Sequence, residues 1–162
     1  MRLLRVGVAA FCCFGALAQL GCSFTASPAE GLKFAAPPGW QSSPGIMGFM
    51  QFWRSPSSDR EVLMLFKSPK PIAARDVFSN QQMRDTLKDV TIREMHTIAI
   101  CGNQPATHVQ ARGTSAKGGD ENVDMMMTTT RGNTYFAMYI RPVDAASNQM
   151  AMTALRELCA KP

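Results

Sequence analysis

His96, His108, Cys101, Cys159 and the run Met125-Met126-Met127 are the side chains in this sequence best suited to chemistry. A histidine can move a proton or bind a metal near neutral pH. Catalysis by His96 or His108 would need a nucleophile or a second acid–base group at a defined spacing. The sequence offers no H-E-x-x-H, no G-x-S-x-G and no phosphate-cradling loop. Gly118-Gly119 lacks the Lys and Ser/Thr that such a loop requires. Both histidines therefore read as structural or surface residues. No catalytic residue, cofactor or metal site is assigned, and the chain reads as a non-enzyme. Methionine is abundant, with 12 in all. Thioethers suit Cu(I), so Met125 and Met127 with His108 or His96, and the pair Met150-x-Met152, are the candidate soft-metal donors. Copper binding by an exported protein is the alternative function. Methionine also fills irregular core space, and the sparse M-x-M spacing favours packing. Strand alternation would point Met126 away from Met125 and Met127.

The N-terminus decides the compartment. Met1, Arg2 and Arg5 precede an uncharged apolar run from Val6 to Leu20. That run is short for a bilayer span and has the form of a signal peptide. Ala16-Leu17-Ala18 permits ordinary cleavage before Gln19. Leu20-Gly21-Cys22 resembles a bacterial lipoprotein box, although Gln19 and Leu20 stand where Leu and a small residue usually stand. The expectation is a lipoprotein signal peptide over 1–21, lipidation of Cys22 and a small, polar tether over 22–31. A secreted soluble chain is the alternative, and an uncleaved anchor a third. Several buried acyl chains would hold Cys22 stably in a membrane. With Arg2 and Arg5 removed, the 17 basic residues become 15 against 12 acidic ones. They form no block of like charge, so nucleic acid is not an expected partner.

Cysteine usage follows from export. Cys12 and Cys13 lie in the apolar run and Cys22 closes it, which leaves Cys101 and Cys159 as a pair. In an oxidising compartment that pair is expected to form a disulfide. Closing so long a loop is worth at most about 4 kcal/mol on the chain-entropy model. Two buried free thiols, or a reactive Cys101, are the competing readings; the lack of a C-x-x-C motif weakens a redox role.

The elements that would carry these side chains follow from periodicity. Residues 32–36 alternate as a short strand, which Pro37-Pro38-Gly39 ends. Residues 42–45 form a turn cluster, 46–53 and 61–66 two apolar strands around the loop 55–59. Prolines in 67–71 stop further pairing. Over 75–90 the period changes: Val77, Met83, Leu87 and Val90 share one side, which predicts one amphipathic helix. Strands are expected over 91–100 and 106–112, separated by a turn at 101–105. A mobile Gly-rich loop is expected over 113–120. Strands 122–131 and 133–141 flank a Gly132-Asn133 hairpin turn. Asp144 is the expected N-cap of a helix running to Cys159, with Met150, Ala154 and Leu158 in one row and Ala151, Leu155 and Cys159 in another. The order predicts an α+β domain over 32–162: a mainly antiparallel sheet of about six to seven strands with helices packed on it.

Five segments in this order resemble a known family. They are Phe34-Ala35-Ala36-Pro37-Pro38-Gly39-Trp40, the long helix after a hairpin, the turn Gly102-Asn103-Gln104-Pro105-Ala106, the aromatic strand Tyr135-Phe136-Ala137-Met138-Tyr139, and the C-terminal helix. Over residues 32–159 the chain resembles the PsbP-like α/β/α sandwich, a fold shared by bacterial lipoproteins. The resemblance implies a small non-enzymatic adaptor that docks on a larger complex. It carries over no metal or partner residue. The expected setting is the cell envelope, on its periplasmic or extracellular face, with a membrane reached through the lipid and an envelope protein as partner. Trp40, Phe49, Phe52 and Trp53 belong to the core unless exposed, when they would mark a docking patch.

Overall fold

The computed structural model describes residues 32–44 and 49–160. The signal peptide 1–21, Cys22 and the tether 22–31 lie outside the described residues. The first half of the chain forms β1 (Leu32–Lys33), β2 (Gln41–Pro44), β3 (Phe49–Arg54), β4 (Val62–Ser68), α1 (Ala74–Ser79) and α2 (Gln81–Thr86). The second half forms β5 (Leu87–Ile100), β6 (Gln104–Ser115), β7 (Asp120–Thr130), β8 (Asn133–Pro142), α3 (Gln149–Arg156) and β9 (Cys159–Ala160). Seven strands make one antiparallel sheet in the order β2-β3-β4-β8-β7-β6-β5. β1 and β9 pair separately. The α+β expectation holds.

Alternation divides the core between the two faces. Leu63 and Leu65 join Met126, Ala137, Tyr139 and the Ala151, Ala154 and Leu155 of α3. Val62, Met64 and Phe66 join Met125, Met127, Met138 and the Val77, Phe78 and Met83 of α1 and α2. Each helix lays its apolar stripe on the sheet. Trp40 and Trp53 are buried in the first cluster, and half-buried Phe52 packs against the second.

Several boundaries differ from the sequence reading. The expected helix over 75–90 is two short helices, because the backbone at Asn80 is extended (φ −65°, ψ 138°). Leu87–Val90 have left the helix for β5, where Leu87 pairs with Ser115 and Lys88 with Thr114. Ser42 and Ser43, expected in a turn, pair with Trp53 and Phe52. Pro44 is tolerated there because β2 is an edge strand. The strand expected over 32–36 is only β1. α3 begins at Asn148, whose side chain accepts the Met150 and Ala151 N–H groups at 3.0 and 3.4 Å, not at Asp144. The helix ends before Cys159, which lies in β9 and pairs with Lys33. The loop expected over 113–120 shrinks to 116–119, and the hairpin expected at Gly132-Asn133 turns on Arg131 and Gly132 (φ 48° and 77°).

Cys101 and Cys159 are joined, with Cα atoms 5.6 Å apart. The bond ties the β5–β6 turn to β9. It occupies the Cys101 thiol that a reactive-cysteine reading would need. Among the described residues, no helix is long and apolar enough to cross a membrane.

Candidate functional site

Three neighbouring strands bring polar side chains together on the face that carries α3. Asp124 of β7 sits directly opposite Gln110 of β6 and Tyr139 of β8. His108 and Arg141 are its diagonal neighbours, within reach of long side chains. His108 Nε2 lies 3.2 Å from Asp124 Oδ1, Gln110 donates to the same oxygen at 3.3 Å, and Arg141 Nη1 donates to Oδ2 at 2.8 Å. His108 and Asp124 are buried. Burial pushes the Asp124 carboxyl up, but the bonds and charges of His108 and Arg141 outweigh it and hold the group below its ordinary range. A carboxylate only accepts, so Nε2 of His108 carries the proton. His96, exposed on β5 and directly opposite His108, meets it edge-on with ring centroids 5.1 Å apart.

A second network adjoins the first. The Arg141 guanidinium lies 5.4 Å from the Tyr139 ring centroid. The Tyr139 hydroxyl donates to Glu61 and accepts the Asn148 N–H at 3.2 Å. Ser57 donates to the other Glu61 oxygen at 3.2 Å. Burial raises the Glu61 carboxyl, yet the hydrogen bonds from Tyr139, Ser55, Ser57 and Asn148 prevail and lower it. Tyr139 is shifted the other way, by burial first and then by its bond to Glu61. This network couples the start of β4, the middle of β8 and the N-terminus of α3.

The sequence candidates separate. His96 and His108 come together. Met125 and Met127 lie in the cluster on the opposite face, so the sheet divides the proposed methionine–histidine donor set. Met150 is exposed on α3 and Met152 packs on the core beneath it. No group of three or more His, Cys, Asp and Glu side chains could hold a metal among the described residues. Asp124, Arg141, Glu61 and Tyr139 were not singled out from the sequence. The available signal was a charge inside or beside an apolar strand, as in Val123-Asp124-Met125 and Glu61-Val62-Leu63. Chemically, His108 and Asp124 resemble a base and its orienting partner. Among the described residues their hydrogen-bond partners are each other, Gln110 and Arg141, which fix the charge of Asp124 and the orientation of the His108 ring.

No family model matches the sequence, and no curated protein matches it. Solved structures do resemble the fold. The solution structure of cyanobacterial PsbP (CyanoP) from Synechocystis sp. PCC 6803 superimposes with a TM-score of 0.61 at 16% identity, covering 81% of this chain and 87% of that one. A crystal structure from Bacteroides thetaiotaomicron VPI-5482 gives 0.51 at 12% identity over 82% of this chain. This chain spans 46% of that longer protein. The PsbP-like fold expected from the sequence is the fold observed.

Proposed function

We propose that this chain is an exported, lipid-anchored binding or assembly module of the bacterial cell envelope, built as a PsbP-like α/β/α sandwich and without catalysis of its own. The observation that supports it most is β5. This strand has 14 residues and, among the described residues, ends the sheet and pairs on one side only. Residues 93–97 are exposed, so both of its faces are open there, and Met95 is 44% exposed. Such an edge presents unpaired backbone groups that a partner strand can join. His96 and Glu94 project from β5 on the side of the Asp124 cluster, where their cross-strand partners are His108 and Gln110. That polar ground would set which partner is accepted. Copper binding forms no part of this proposal, because the sheet separates the donors it would require.

A photo-crosslinking residue at position 95 of the membrane-anchored full chain tests the reading. The expected result is one defined envelope-protein adduct from position 95 and none from exposed position 156 on α3. Failure to crosslink from 91, 93, 95 and 97 alike would remove the support that β5 gives.

A further inference from the structure

On the face carrying α1 and α2, across the sheet from Asp124, lies a cleft of about 510 Å³. Small-molecule sites typically measure roughly 300–1,000 Å³. Val62, Met64, Leu87 and Ile140 give it an apolar floor. The turn between β6 and β7 forms one wall, and the turn between β3 and β4 another. Glu121 enters from β7, its side chain 3% exposed. Its Oε1 accepts Arg60 Nη2 at 2.9 Å. Its Oε2 is buried and has no hydrogen-bond partner among the described residues. Leaving a buried carboxylate oxygen without a donor is costly.

Arg60 also reaches the β6–β7 turn. A Cβ on Gly119 would fall 2.6 Å from its Nη2, so glycine at 119 leaves the guanidinium room. Arg54, Arg60 and Lys117 line the cleft together with Asp59, Asp85 and Glu121. These charges balance, so neither an anion nor a cation is favoured overall. Arg60 already occupies one side of Glu121 and would repel a second cation.

We propose that this cleft binds a small molecule with an apolar body and a neutral hydrogen-bond donor, a hydroxyl or an amide N–H, which is donated to the Glu121 carboxylate once a small turn of that side chain brings Oε2 to the cleft. The apolar part covers Val62, Met64, Leu87 and Ile140. The site shares only Leu87 with β5 and does not include the exposed stretch 93–97.

The test uses two fluorescent probes, 2-naphthol and 2-methoxynaphthalene, titrated into the full chain held in amphipol, with partition into amphipol alone subtracted. They share the aromatic body, and only the first donates a hydrogen bond. An unpaired buried acceptor should make the ether bind about tenfold more weakly. Glu121→Gln should shrink that ratio towards unity. Ala116→Trp, at an exposed turn position, should obstruct the cleft and weaken 2-naphthol about tenfold without touching the core. Equal affinities for the two probes, or unchanged binding in Ala116→Trp, would overturn the proposal even if Glu121→Gln did not fold.

Discussion

Asp124 and Glu61 are acids buried in a sheet core, and each is kept ionised by donors that come from other strands and turns. Desolvation alone would raise both carboxyls; His108 and Arg141 at Asp124, and Tyr139, Ser55 and Ser57 at Glu61, more than offset it. A folded-state value below the ordinary one means that the unfolded chain binds the proton more readily. The stability gained is therefore complete above the ordinary values of 4.5 and 3.8 and lost as pH falls through the lower folded values. Urea midpoints should hold level down to about pH 5 and then fall steeply below about pH 4. Glu61→Gln should flatten part of that acid limb, and urea titrations at stepped pH would show it. Tyr139→Phe should cost about 1–3 kcal/mol by leaving Glu61 and the Asn148 N–H short of a partner, readable as a lowered urea midpoint. The pairing of Glu61 with Tyr139 was not legible in the sequence, because the two are 78 residues apart. Only the oddity of a charge within an apolar run was visible.

Residues 75–90 show why periodicity mistook part of an element. Val77, Met83 and Leu87 are all buried, as a single helical stripe would have them. Yet Leu87 is delivered by a strand, because β6 offers a ladder partner that local sequence does not reveal. Gly113 is the companion error. Its residue type fits the loop expected over 113–120, but it lies inside β6, where an added Cβ would come 2.9 Å from the Lys88 carbonyl oxygen and 2.8 Å from Leu87 Cγ. Backbone at that distance cannot swing aside as a side-chain tip can. Gly113→Ala should cost about 1–3 kcal/mol through overpacking, measured by chemical denaturation. The disulfide acts at the same scale. It links the β5–β6 turn to β9 across 58 residues. Replacing both cysteines by serine should remove up to about 4 kcal/mol. The melting temperature should drop by roughly 10–20 °C.

For the molecule as a whole, hairpin signals and strand alternation were enough to expect an antiparallel sheet carrying helices, and the main sheet has seven described strands, within the expected six to seven. What they could not reveal is the central pairing of β4 with β8, where Leu65 meets Ala137 and Met64 meets Met138. That contact joins the two halves of the chain, and no short-range turn announces it. The pairing places β2 at one sheet edge and β5 at the other, and leaves β1 in a separate pair with β9. Leu32, the first described residue, stands ten residues after Cys22. A fully extended chain of that length reaches at most about 35 Å. If Cys22 is acylated, the domain is confined to a thin layer above the membrane, and β5 can meet only partners within that layer. Intact mass of the protein purified from membranes, before and after reduction, tests this geometry directly. The expected mature chain starts at Cys22, carries acyl mass and gains two hydrogens when the Cys101–Cys159 bond is reduced. A chain that starts at Gln19 without acyl mass would free the domain from the membrane, and the search for a β5 partner would then move to soluble proteins of the same compartment.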